Sequence, residues 1–212
     1  MTRSAAFFFT AAALTVPLAA PLPAHAVPTC FGRDATIVGT PGPDQIPGTQ
    51  GSDVIVARGG ADGVDAMGGA DRICLGGGDN QGAGGLGVDR MRGGNGADGL
   101  GGGLPSVLTG DPSRSLLYGG DGADIVGGND GDDVIAGGRG ADGLGGFRGR
   151  DRHFGRRGDD TINSRDQAFD SVRAGRGSDS CLRDPQDAAR NCESGSRGAA
   201  VGVDVLARLG AL

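Results

Sequence analysis

Tryptophan and lysine are absent from this sequence, and tyrosine and glutamate each occur once, as Tyr118 and Glu193. With aromatics at 4% there is no stacking platform for bases. With 26 acids against 20 cations, all of them arginine, the formal charge is −6. That balance speaks against nucleic acid and against an anionic membrane surface as partners, since neither a basic stripe nor a ring array stands out. Only His153 remains as a histidine beyond the first 26 residues, so general acid–base chemistry on imidazole has a single candidate. A long apolar run is missing too. The stretch from Phe7 to Val16 is too short to span a bilayer and is followed by Pro17, Pro21 and Pro23.

Residues 1–26 combine Arg3, that apolar stretch and the small-x-small triplet Ala24-His25-Ala26, which together read as a signal peptide cut after Ala26. Val27-Pro28-Thr29 before Cys30 does not fit a lipobox, so the product is expected to be secreted, extracellular and free of a lipid anchor. It carries 19 arginines against 26 acids, a net charge of −7.

Glycine is abundant, at 46 residues, and periodic. Residues 119–145 read GGDGADIVG, GNDGDDVIA, GGRGADGLG, three nine-residue units of the form G-G-x-G-x-D-x-U-x with U apolar. A fixed period marks a stacked architecture, in which each repeat buries its apolar face only against its neighbours. Six Gly-rich residues suit a turn, and the three that follow place one apolar side chain between two outward ones, as in a very short strand. Turn, strand, turn, strand closes a coil of eighteen residues, and unit n stacks on unit n+2 about 4.8 Å away. The predicted fold class is all-β: a parallel β-roll, or β-solenoid, with two nine-residue units per coil.

The phase runs from Cys30 almost without a break. Asp44, Asp53, Asp62, Asp71, Asp89 and Asp98 hold the sixth position of a first block within 27–101, over Ile46, Ile55, Val64, Ile73, Met91 and Leu100. The unit from Leu75 to Ala83 is degenerate, with Asn80 for Asp and Gly82 in the apolar slot. Residues 102–118 contain Pro105 and Pro112, lack the sixth-position Asp and shift the phase by one, so they read as an interruption. A second block, 119–181, supplies Asp124, Asp133, Asp142, Asp151, Asp160 and Asp179, with His153 in one apolar slot and one residue inserted after Asn163. Residues 182–212 are expected to cap the open end and to trail into a Gly/Ala-rich tail, a frayed short helix.

Carboxylates stacked about 5 Å apart repel by roughly 1 kcal/mol per pair in water, and by more where water is excluded. A hard divalent cation between them relieves this. Tight turns also aim carbonyl oxygens inward, and flexible oxygen coordination suits calcium better than magnesium. The 25 Asp against one Glu select the shorter carboxylate for reach. Multiple Ca2+ ions are therefore the expected cofactor.

These units resemble the hemolysin-type, or RTX, calcium-binding repeat. The resemblance implies a parallel β-roll with calcium held between successive turns by backbone carbonyls and the sixth-position Asp. Carried over residue by residue, it implies metal ligation by Asp44, Asp53, Asp62, Asp71, Asp89, Asp98, Asp124, Asp133, Asp142, Asp151, Asp160 and Asp179. Many such rolls are appended to a protease, lipase or toxin domain, whereas here the repeats occupy most of the chain and the export signal is N-terminal.

Four cysteines in an exported chain suggest two disulfides. Cys181 and Cys192 bracket the cap and pair. That leaves Cys30 with Cys74, which requires the N-terminal segment to fold down over the first coils, because two and a half coils of rise exceed disulfide reach. No C-x-x-C is present to favour metal ligation instead. GNGADG and GRGADG satisfy G-x-G-x-x-G, yet the repeat accounts for every glycine in them. A thin roll encloses no pocket around His153, so the chain is expected not to be an enzyme. The expected function is calcium-coupled folding of a secreted binding protein, with calcium as the known partner. The alternative is an extracellular adhesive or cell-envelope interaction protein that uses the loaded roll as a scaffold.

Overall fold

The computed structural model describes residues 26–103 and 111–193. Apart from Ala26, the expected signal peptide lies outside the described residues, as do part of the 102–118 interruption and the tail from 194 onward. Among the described residues every regular element is a strand.

Two parallel sheets face each other. One has eight strands: Gln45–Thr49, Gly63–Met67, Gln81–Ala83, Gly99–Gly101, Ile125–Gly127, Gly143–Gly145, Thr161–Ser164 and Ser180–Arg183. The other has nine: Ile37–Val38, Val54–Val56, Arg72–Gly77, Arg90–Asn95, Leu116–Asp121, Val134–Arg139, Arg152–Arg157, Ser171–Arg176 and Ala188–Arg190. Successive strands of the chain alternate between the sheets, so each pair of units is one coil. The chain is a β-solenoid of the roll type, as the nine-residue period requires.

Register follows the sequence phase. Ile55 pairs with Ile73 and Ile73 with Met91, while across the core Ile46 pairs with Val64. These residues form one continuous apolar seam with Leu100, Leu117, Val126, Ile135, Leu144, Ile162 and Val172. Burying each such side chain contributes roughly 1.5–3 kcal/mol. At Gly82, where a core side chain is missing, the space is filled from the neighbours: a Cβ there would stand 2.6 Å from Met91 Sδ and 3.1 Å from Leu75 Cδ1. The degenerate unit is therefore packed.

The interruption does not break the ladder. Leu117 pairs with Met91 on one side and with Ile135 on the other, twenty-six and eighteen residues away, so the coil carries an eight-residue insertion. Leu116, Leu117 and Tyr118, placed in the interruption by sequence, belong to a regular rung. At the other end Ala188–Arg190 adds a last parallel strand against Ser171–Arg176.

Both disulfides form as paired from the sequence. Cys30–Cys74 closes with Cα atoms 5.8 Å apart, because an antiparallel pair, Thr29–Cys30 with Arg33–Asp34, brings the N-terminal segment back to the nine-stranded sheet. Cys181 continues the apolar column and bonds Cys192 at 5.7 Å between Cα atoms, closing the C-terminal end.

Candidate metal centres along the turns

Each coil has two turns, and each turn delivers one sixth-position side chain into a ladder. One ladder runs Asp44, Asp62, Asn80, Asp98, Asp124, Asp142, Asp160, Asp179. The other runs Asp53, Asp71, Asp89, Ser115, Asp133, Asp151, Asp170, Asp187. Wherever the next residue of the ladder is Asp or Asn, the rungs are tied in one way: the backbone N–H donates to Oδ1 of the residue one coil later, as from Asp53 to Asp71 at 2.8 Å and from Asp124 to Asp142 at 2.9 Å. Ser115, which follows Asp89, has no carboxylate to accept. Part of the expected carboxylate repulsion is thus met by main-chain amides.

The second oxygen divides the positions into two kinds. Oδ2 of Asp62, Asp71, Asp89, Asp98, Asp124, Asp142, Asp151, Asp160, Asp170 and Asp179 is buried and has no hydrogen-bond partner. Oδ2 of Asp44, Asp53 and Asp133 is hydrogen-bonded from four residues earlier, by the N–H of Thr40 at 2.6 Å, Thr49 at 2.7 Å and Asn129 at 2.7 Å. The two threonines add their hydroxyls, at 3.0 and 2.9 Å.

Backbone conformation separates the classes. In nine of the ten open turns the residue four before the Asp has positive φ, for example Gly94 at 133° and Gly138 at 143°, and also Arg58, Met67, Phe147 and Arg156. Before Asp170 the positive φ falls one residue later, at Gln167. Thr40, Thr49 and Asn129 do not take it, so their amides turn toward the carboxylate. The closed turns share a neighbour pattern: Ala35 and Ser115 stand one coil before Asp53 and Asp133, and Asp44 begins its ladder. A carboxylate with no acid or carboxamide beneath it is closed internally. One that is stacked keeps an oxygen free, except Asp187 at the last rung, whose Oδ2 accepts from Ser164 and Asp184.

Burial and neighbouring charge press on the open groups. Asp151 is pushed up to about 8, first by burial and then by Asp133, Asp170 and Asp166. Asp142 and Asp170 rise to about 7, and Asp89, Asp98, Asp124 and Asp160 to about 6, burial being the main cause in each. Rows of buried, unpartnered carboxylate oxygens are costly unless a positive charge reaches them. The residues present therefore fit a hard, oxygen-seeking cation.

Nine of the twelve expected ligands are open in this sense, and three are not. Asp170, nineteen residues after Asp151 across the insertion that follows Asn163, is a tenth open position outside the expected set, although Asp179 carries the same nineteen-residue offset from Asp160. Asp187 was assigned to the cap, yet its Oδ1 accepts from Asp170 N–H as another rung, and its Oδ2 accepts from Ser164 and Asp184.

His153 lies in the apolar column between Ile135 and Val172, with both ring nitrogens buried and unpartnered. Burial pushes its pKa down to about 4, so it is neutral. Among the described residues both of its nitrogens lack a hydrogen-bond partner, so none orients it as a base.

Arginine is sorted between the sheets in a way the linear sequence conceals. Outward positions of the nine-stranded sheet carry Arg72, Arg90, Arg92, Arg139, Arg152, Arg156, Arg157, Arg173, Arg176 and Arg190, whereas the eight-stranded sheet has only Arg183. Arg156 and Arg92 stack over Tyr118 at 4.9 and 6.0 Å, and Arg152 and Arg173 over Phe154 at 5.6 and 5.9 Å. A basic stripe with interleaved rings does exist, assembled by the coil.

Residues 38–73, 47–82 and 109–144 match the family model of the RTX calcium-binding nonapeptide repeat, in four copies. No curated protein matches the chain. The matched segments contain both open turns, such as Asp62 and Asp142, and closed ones, such as Asp53 and Asp133.

Proposed function

Since the chain is a hemolysin-type RTX repeat protein folded as a parallel β-roll, we propose that it is a secreted protein whose roll is completed by several calcium ions. The observation that carries this reading is the set of ten buried, unpartnered Asp Oδ2 atoms along the two turn ladders. The open carboxylates hold the ions. Asp44, Asp53 and Asp133, whose oxygens are already satisfied, brace turns instead. Calcium supplies the charge that lets stacked carboxylates stay ionised in a buried turn. The protein supplies the spacing, through eighteen-residue coils, and keeps Oδ1 on the amide ladder so that Oδ2 stays directed away from it. Two disulfides suit an oxidising compartment, in keeping with the leader expected over residues 1–26.

Binding couples to folding by mass action. With so much glycine to order and one thin apolar seam, the chelated chain is expected to be largely unfolded. Far-UV circular dichroism, titrated with calcium and separately with magnesium, tests this. A cooperative gain of β-structure with calcium alone supports the reading. A chain already fully β-structured in chelator, and unchanged by calcium, overturns it.

The scaffold reading is favoured by the arginine-lined sheet. Guanidinium forks held over Tyr118 and Phe154 present donors to carboxylates or sulfates on a partner, while among the described residues the strands of the opposite sheet carry only Arg183. An acidic glycan bound in calcium, and released by Arg92→Ala with Arg173→Ala, would support this use. Equal binding by that double variant would rule it out.

A further inference from the structure

Among the described residues one turn adds a third carboxylate to the stacked pair. The insertion after Asn163 lengthens the turn before Asp170 by one residue and introduces Asp166, which belongs to no sixth position of the repeat. One oxygen each from Asp151, Asp166 and Asp170 lie within 4.8 Å of one another. Asp151 and Asp170 are 1% and 3% exposed, and Oδ2 of all three acids has no partner.

The surroundings hold this arrangement in place. Oδ1 of Asp151 accepts from Asp133 N–H at 2.9 Å, and Oδ1 of Asp170 from Asp151 N–H at 2.8 Å. Asp166 Oδ1 accepts from Ala168 N–H at 2.7 Å, and the Asp166 and Gln167 amides donate to Asp184 Oδ2 at 3.0 and 2.6 Å. In each acid Oδ1 is thus engaged, and Oδ2 is left without a partner. Three carboxylates in a partly dry turn repel strongly.

We infer that Asp151, Asp166 and Asp170 form a three-carboxylate cation site, distinct from the repeat sites by its third acid and the tightest calcium site of the chain. The assignment rests on the calcium-binding reading above and adds to it a residue outside the repeat pattern. Affinity for calcium rises with the number of charged ligands a site offers. A third carboxylate therefore separates this site from its neighbours, which stack two. It is expected to fill first and empty last, so that the two successive coils of Arg152–Arg157 and Ser171–Arg176 order before the rest.

The test is calorimetric titration of the full chain with calcium chloride, alongside Asp166→Asn, Asp166→Ser and Asp142→Asn. Asn and Ser both keep an acceptor for Ala168 N–H and remove the charge. The expected result is that both Asp166 variants lose the tightest class of site, weakened about tenfold or more, and keep the weaker classes. Asp142→Asn should keep the tightest class and lose a weaker one. If the Asp166 variants retain the tightest class unchanged, or if Asp142→Asn removes it, the three-carboxylate assignment is overturned. If the unmodified chain takes up no calcium, the broader reading fails instead, so the two failures are distinguishable.

Discussion

At the scale of single residues, the fate of one carboxylate oxygen decides what an aspartate does. Asp142 and Asp133 occupy the same position of the repeat and both are buried, yet Asp142 Oδ2 is unpartnered and Asp133 Oδ2 is held by Asn129 N–H at 2.7 Å. Replacing Asp142 with Asn should therefore remove bound calcium, whereas Asp133→Asn should leave the calcium count unchanged and lower stability by about 1–2 kcal/mol through its two amide bonds. Calcium titration and chemical denaturation of the same two variants check the pair of outcomes. His153 invites the opposite experiment. Its two nitrogens are buried without partners, and each such group costs about 1–3 kcal/mol. His153→Leu should therefore stabilise the roll by a similar amount in denaturation at fixed calcium, with calcium uptake unaltered. The position of Asp133 in the ladder was legible in the sequence, but its closure was not. Ser115 stands eighteen residues before it, where counting puts it, but counting does not show that the Asn129 amide turns in to hold Oδ2.

At the scale of the turn and its strand, the glycines answer two geometric demands. A Cβ on Gly137 would collide with Asp142 Oδ2, so that glycine leaves room for the carboxylate. Gly138, at φ 143°, faces the carbonyl of Gly120 one coil before, and a Cβ there would meet that oxygen at contact distance far below van der Waals. Gly138→Ala combines backbone strain with a backbone clash and should cost about 2–4 kcal/mol, read as a shift in the calcium concentration needed for half-folding. Period, strand position and apolar column could all be read from sequence because each depends on a spacing of nine or eighteen. Two things could not. The long turn at Ser164 to Phe169 turns Asp166 inward only when stacked on its neighbours. The arginine stripe arises because outward positions of alternate units fall on alternate sheets, so residues such as Arg92 and Arg173 are scattered in the chain and share one column in the coil.

At the scale of the whole molecule, proton and calcium compete for the same oxygens, which fixes the sign of the pH response. In the metal-free roll, burial raises Asp89, Asp98, Asp124 and Asp160 to about 6, Asp142 and Asp170 to about 7, and Asp151 to about 8. Their ordinary value is near 4, so between roughly pH 4 and 8 the folded state binds more protons than the unfolded one. A carboxyl with a raised folded pKa contributes stability that is present at low pH and is lost as pH rises through that folded value. In chelator, therefore, residual β-structure should be greatest near pH 4–5 and fall toward pH 8. Calcium reverses the slope. It binds the ionised form, so each ion taken up near neutral pH releases protons, and the calcium midpoint for folding should tighten steadily from about pH 5.5 to about pH 8. The disulfides set how far either curve can move. They close loops spanning 44 and 11 residues, and in the chain-entropy account each restricts the unfolded state by about 3–4 kcal/mol. Reduction should thus raise the calcium needed for folding at every pH without altering the direction of the pH dependence. Circular dichroism across pH, with and without reductant, reads both effects. A chelated chain that gains structure as pH rises would show that the aspartates do not govern the fold.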